Sequence, residues 1–421
     1  MAVVPRPRSR AAAADHSGTA VVVTRYYDPV LVFTAGALMT LGVAMVYSAT
    51  VTIEGSGLST DVQAWWHSPL RQGIFALAGF LGMLVAAHVD YRLLAWERPR
   101  GGWRAGILAA VAAALLVAVL VPGIGKEALG ARRAIEVPGL GGLSFQPSEI
   151  AKVVLVVWVA ALLTRPLPPA GGRSWRLVQP PARRQPPLGN AGDLVRGFLP
   201  AALSGAVLIG LTGIEDFGTA ALMGAILLAL LLAGGARVWY LVAAILPGLA
   251  VGAVLLTLKP ARLARLTNFF GAEVDPSGAG YQISQALMSI GSGGWFGRGL
   301  GNGVQKYGYL PQDNNDFILA SICEELGVAG GLAVTALFLV ILWRGWKISR
   351  AAPDAFGRLL ALGLTLTICL QAAFNIGVVT HSVPTKGISL PFVSAGGSGV
   401  VFLGLAAGLL ASIGRRYARV G

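Results

Sequence analysis

Between residues 308 and 327, in GYLPQDNNDFILASICEELG, four carboxylates (Asp313, Asp316, Glu324 and Glu325) press against the start of a long apolar run. An acid at that place can act as general base on a hydroxyl. It can equally complement the dipole of a helix whose cap is Asn314 or Asn315, and spacing alone leaves both readings open for Asp316. Helical geometry puts Asp316, Ala320, Cys323 and Gly327 on one face with Glu325 nearly opposite, so the four acids need not serve one site. Ten residues of helix would lift Asp316 up to ~15 Å above the apolar start at Leu326. Glu324 and Glu325, at the apolar edge, read as structural.

The remaining candidates for chemistry are cations and small hydroxyls. Lys126, Arg132 and Arg133 fall within 123–148, and Lys259, Arg262, Arg265, Arg298 and Lys306 within 258–315. Such cations need acids of the same chain or an anionic ligand, such as a phosphate-bearing lipid. In FQPSEIAK, Ser148 can cap a helix along which Glu149 and Lys152, three apart, can pair. In GIEDFGTA, Glu215 and Asp216 read as a solvated turn. PTKGISLPFVSAGGSG joins Lys386 to a Ser/Gly-rich segment containing Ser394; it is a loop of chain breakers or a phosphate contact. The glycine-rich stretch 291–311 fits neither the dinucleotide nor the P-loop spacing, and GIGKE at 123–127 lacks the upstream Gly and the Ser/Thr of a P-loop. Cys323 and Cys369 lie in apolar runs, and His16, His67, His88 and His381 are scattered, so no Cys/His metal cluster is legible.

The elements that must position these residues follow from composition. The 421 residues are 55% hydrophobic and 12% charged, with a mean hydropathy of +0.68. That is a polytopic membrane protein. Apolar runs of membrane-spanning length fall at 29–50, 70–89, 105–122, 149–164, 197–213, 218–235, 239–257, 316–343, 357–378 and 391–412. The fold expected is therefore an all-α polytopic membrane domain of ten transmembrane helices over 29–412, flanked by tails 1–28 and 413–421. Placing the N-terminus inside puts about two thirds of the Lys and Arg residues in cytoplasmic segments. Both termini are then cytoplasmic. The largest extracytoplasmic loop, 258–315, joins helices 7 and 8, and a Pro/Arg-rich tether at 165–190 lies inside. The same accounting explains a net charge of +14 without nucleic acid, since these arginines orient helices and meet anionic headgroups. The first apolar run lacks a small-residue cleavage site and reads as a retained helix. No internal repeat of the inverted-transporter kind is visible.

With the residues in view, the chain resembles the SEDS family (shape, elongation, division and sporulation), typified by FtsW and RodA. The likeness is carried, in order, by MVYSAT, VDYR, GARRAIEVPGLGGLSFQPSEIAK, EDFGTA, GYQISQALMSIGSGGWFGRGLGNGVQKYGYLPQDNNDFI, EELG, NIGV and PTKGISLPFVSAGGS. Departures occur at Asn314-Asn315, where the family usually has His-Thr, at Ser394–Gly399 (SAGGSG for SYGGSS) and at EDFGTA (for PDLGTA). The Lys of PTKG is more similar to the division branch than to the elongation branch.

This resemblance implies a glycosyltransferase that polymerises lipid II on the outer face of the bacterial cytoplasmic membrane. The partner it implies is a class B penicillin-binding protein acting as transpeptidase, with other divisome proteins around them. It further implies that Asp316 is catalytic. On that footing Asp316 would be general base, while Arg132, Arg133 and Lys386, with Lys152 or Arg298, would stabilise the diphosphate leaving group. Glu149, Lys306 and Ser394 complete the expected substrate-binding set. A divalent cation, Mg or Mn, could share the leaving-group task. Septal synthesis in cell division is the expected role, and three alternatives stay open: the elongation polymerase of the RodA kind, a lipid II flippase, which would want polar groups lining a path from the inner face, and a scaffold that activates its transpeptidase.

Overall fold

The computed structural model describes residues 28–54, 69–96, 101–128, 131–136, 144–166, 189–257, 262–263, 265, 269–270, 278–304, 315–384 and 387–415. A long apolar segment in a bilayer must satisfy its own backbone, and the helix does so within one segment. Helices α1 (Pro29–Glu54), α2 (Pro69–His88), α3 (Gly101–Leu120), α4 (Pro147–Leu163), α5 (Leu199–Glu215), α6 (Phe217–Ala233) and α7 (Val238–Thr257) are followed by α8 (Gly278–Gly293), α9 (Ile318–Ala351), α10 (Ala355–Val379) and α11 (Gly397–Gly414). Every apolar run read from the sequence overlaps one of these helices. Among the described residues, eight helices are long and apolar enough to cross a membrane, and α6 is a shorter apolar one. This is an integral membrane protein.

The fold is mostly helical, where all-α was expected. Part of 123–148 forms a small antiparallel sheet in the order β1 (Gly125–Ala128), β2 (Ala131–Glu136), β3 (Ser144–Phe145). Gly125 pairs with Ile135, and Glu136 with Ser144. Strands this short carry no long apolar run, which is why a search for spans passes over them. Helix α8 lies inside the region taken as loop, because its sixteen residues, GAGYQISQALMSIGSG, are rich in Gly and Ser. Helix α9 continues to Ala351, beyond the expected end at 343, and α11 begins only at Gly397. The residues before α11, LPFVSAG, turn instead, with Phe392 at φ 66°.

Two expected caps are corrected. Pro147 occupies the first turn of α4 and Gln146 stands at its cap, leaving the Ser148 hydroxyl buried without a protein partner. Phe317 stands at the cap of α9 with no side-chain bond, so Asn315 does not cap it, and Asn314 lies outside the described residues.

Helices α4, α6, α10 and α11 hold much of the buried core, and Val156 of α4 and Leu230 of α6 meet at Gly363 of α10. Helix α7 is the opposite case, with none of its side chains buried. At the far end of α9, Arg344 pairs with Asp28 before α1 at 2.6 Å, and Lys347 Nζ lies 3.7 Å from the centre of the Trp343 ring.

Candidate active site

Asp316 sits one residue ahead of the α9 cap, half-buried and ringed by protein. Its main chain is clamped from two sides. Asn375 of α10, fully buried, donates through Nδ2 to the Asp316 carbonyl (2.8 Å) and the Ile388 carbonyl (2.7 Å). Ser394 donates its hydroxyl to the Asn315 carbonyl (2.6 Å) and accepts the Leu390 N–H (2.7 Å). Ser394, expected to bind substrate, thus spends its hydroxyl on the wall of the site. Gln371, one helical turn before Asn375, donates to the Ser389 carbonyl at 2.9 Å. One face of α10 therefore grips the 388–394 segment and aligns Asp316 beside it.

The carboxylate itself is left free of that clamp. A Cβ placed on Gly387 would come 2.7 Å from Asp316 Oδ2 and 3.7 Å from Arg133 Nη1, so these three groups converge and a residue larger than glycine would push the carboxylate aside. Loss of hydration pushes the Asp316 carboxyl up to about 6, with the Arg133 guanidinium opposing, Asp216 adding to the rise and Arg265 opposing. An acid with that pKa is ionised near neutrality, yet basic enough to take a proton from a hydroxyl.

The cations come from two loops. Strand β2 delivers Arg132 and Arg133: the Arg132 N–H donates to Glu215 Oε2 (3.0 Å) and Arg133 Nε to the Glu215 carbonyl (3.3 Å). Arg262 donates to the carbonyls of Ile214 (2.6 Å) and Leu255 (3.0 Å), tying the end of α5 to the end of α7. Lost hydration is the first cause lowering the pKa values of both Arg262 and Arg265; Arg133's like charge lowers both further, while Asp316 works against the fall at Arg265. The Glu215–Asp216 turn is not the solvated turn expected. Asp216 is buried at the cap of α6, accepting the Thr219 N–H (3.0 Å), the Thr219 hydroxyl (2.8 Å) and Gln146 Nε2 (3.2 Å).

Glu149 and Lys152 form the expected i,i+3 pair at 2.8 Å, buried rather than at the surface, and Lys152 also donates to Gln371 Oε1 at 2.5 Å. Through Gln371 the pair supports the wall that holds Asp316. Glu149 Oε2 lies buried near Gly399 without a protein partner. Arg298 is not brought to Asp316. It is exposed, its N–H donates to the Glu324 carbonyl (3.0 Å) and its Nε to the Ser292 carbonyl (3.2 Å), about two helical turns from the acid. Lys306 and Lys386 lie outside the described residues. Among the described residues no three His, Cys, Asp or Glu side chains converge, and the Asp216 oxygens are already engaged.

A family model described as a cell cycle protein, covering FtsW, RodA and SpoVE, matches residues 29–419. The chain belongs to this family. A probable peptidoglycan glycosyltransferase FtsW from Geobacter sp. (strain M18) is 37% identical over 391 residues, spanning 93% of this chain and 97% of that protein. Stage V sporulation protein E of Bacillus subtilis (strain 168) is 36% identical over 396 residues, spanning 93% and 98%. Among solved structures, a chain from a peptidoglycan synthase complex that coordinates polymerization and crosslinking superposes with a TM-score of 0.67 at 25% identity, covering 93% of this chain and 98% of its own. The rod shape determining protein RodA of Thermus thermophilus, at 24% identity over the same shares, has a TM-score of 0.59 and shares the fold.

Sequence reasoning missed Gln371 and Asn375. Two amide side chains four apart in an otherwise apolar helix are a legible signal, since they share one face and need partners there.

Proposed function

We propose that this chain is a peptidoglycan glycosyltransferase that polymerises lipid II at the outer face of the cytoplasmic membrane, in septal synthesis during cell division. The observation that carries the reading is Asp316: a carboxyl of raised pKa, fixed through its backbone, beside Arg133 and ahead of a membrane-length helix. In this reading ten helices cross the bilayer between residues 29 and 412, both termini are cytoplasmic, and Asp316, β2 and the 387–396 segment face outward. The partner is a class B penicillin-binding transpeptidase within the division machinery.

Asp316 takes the proton of the 4-hydroxyl of an acceptor GlcNAc as that oxygen attacks the anomeric carbon of the donor MurNAc. The new C–O bond forms while the bond from the anomeric carbon to the diphosphate oxygen breaks. The electron pair leaves on undecaprenyl diphosphate, whose growing charge is met by Arg133, Arg132 and the neighbouring Arg265. Proton transfer of this kind contributes typically ~10²- to 10⁴-fold to rate.

The test is polymerisation of lipid II by purified protein, with and without its transpeptidase, on a gel that resolves glycan chains. Wild type should make polymer and Asp316→Ala none. Polymer from Asp316→Ala at the wild-type rate would remove the base, and lipid II crossing vesicles without polymer from folded protein would make the chain a carrier.

A further inference from the structure

Helix α9 is broken at Gly327, whose φ of 75° and ψ of 177° lie outside helical geometry. A break strands the carbonyls of the turn before it and the N–H groups of the turn after it. At the edge of a bilayer such groups must find partners within the protein. They find them in residues 294–304, which leave α8 and fold back along the break. Val328 and Ala329 donate to the carbonyls of Gly294 (2.9 Å) and Trp295 (3.2 Å), while Arg298 and Gly299 donate to those of Glu324 (3.0 Å) and Glu325 (2.9 Å). A Cβ on Gly327 would collide with the Trp295 carbonyl, and one on Gly297 with that of Glu325, so both chains need glycine where they touch.

The side chains of Glu324 and Glu325 then close over the same segment. Both are almost fully buried, at 2% and 3% exposure. Glu324 accepts the Val304 N–H at 2.7 Å and the Ser289 hydroxyl of α8 at 3.1 Å. Glu325 accepts the Gly301 N–H at 3.1 Å and, from α1, the Ser48 hydroxyl at 2.6 and 2.7 Å. A carboxylate accepts at both oxygens, whereas a glutamine keeps one acceptor and turns its N–H₂ either toward a backbone N–H, which cannot accept, or toward a serine hydroxyl, which must then reverse its bond.

We propose that Glu324 and Glu325 are positioning residues of the proposed polymerase: they lock the 294–304 hairpin into the break of α9 and thereby hold the helix's outer two turns, with Asp316 ahead of them, at one height and tilt beside Arg133. The inference rests on Asp316 doing the chemistry, but the lock itself is a property of the fold. The acids act through main chain, and the reacting atoms never touch them.

Full-length Glu324→Gln, Glu325→Gln and Ser48→Ala proteins, reconstituted with lipid II, are compared with wild type for kcat, KM, thermal melt and amide hydrogen exchange. The two glutamine variants should lose about tenfold or more in kcat with KM within about threefold, the pattern of a misplaced catalytic group. Their melts should stay near wild type, and exchange should quicken at Gly301, Val304 and residues 315–318. Ser48→Ala, which deletes one donor, should show a smaller loss of the same kind. Wild-type kcat in both glutamine variants would overturn the proposal, as would a KM-only defect or a kcat loss that tracks a falling melt. If wild type makes no polymer, the exchange arm still decides: unchanged exchange at 315–318 refutes the lock, whereas faster exchange there supports it and leaves the polymerase reading alone to fail.

Discussion

Lowering the pH should switch the proposed polymerase off by protonating one side chain. The Asp316 carboxyl is raised to about 6, against 3.8 for an ordinary aspartate. At pH 7 about nine tenths of the molecules carry the ionised base, at pH 6 about half, and each further unit of acid removes about tenfold. The profile of kcat/KM should therefore have an acid limb of unit slope with its midpoint near pH 6. A stability effect of defined sign accompanies it. Because the folded pKa is raised, the protonated acid contributes stability that is fully present below pH 3.8 and is lost as the pH rises through about 6. Asp316→Asn should therefore be inactive yet no less stable at pH 7.5, with a gain of up to about 3 kcal/mol from two pKa units. Initial rates of lipid II polymerisation between pH 4.5 and 8, beside thermal melts of both proteins, measure the two effects. An activity flat to pH 4.5, or an Asn variant that polymerises, would refute the reasoning outright.

Three further perturbations test the geometry. Gly387→Ala places a methyl 2.7 Å from Asp316 Oδ2 and should cost about 10²-fold in kcat with little change in melting, read by the same assay. Asn375→Ala removes both bonds from Nδ2 and should destabilise by about 2–4 kcal/mol, measured by denaturation in detergent, with activity falling alongside. Arg133→Met removes the largest influence opposing the rise at Asp316, so the acid limb should move upward as KM for lipid II rises.

Hydropathy made the apolar helices legible because apolar length is a direct physical demand of the bilayer. Asp316 stood out because an acid before an apolar run is conspicuous on a chain with few charges. What composition hides is what burial decides. Nothing in EDFGTA says that Asp216 turns inward to Thr219 and Gln146, and a hydroxyl such as that of Ser394 can serve substrate or backbone equally well in sequence. The sheet that carries Arg133 is too short to leave a periodic trace. The glycines of 294–301 were visible as close-approach residues, but the thing approached, a broken helix nearby in sequence, is a tertiary fact.

The far end of α9 gives the protein a ruler. In the proposed topology Trp343, Arg344 and Lys347 stand at the inner membrane boundary, and Arg344 is tied to Asp28, so the helix is held from that side. Twenty-seven residues separate Trp343 from Asp316, up to ~40 Å of helix, against a hydrocarbon layer of ~30 Å. In the proposed topology the height of the acid is measured from the inner leaflet, while the diphosphate of the proposed lipid substrate rides on the outer one. Thickening the bilayer lifts the diphosphate toward the carboxylate and thinning lowers it away, so membrane thickness itself becomes a variable of the reaction.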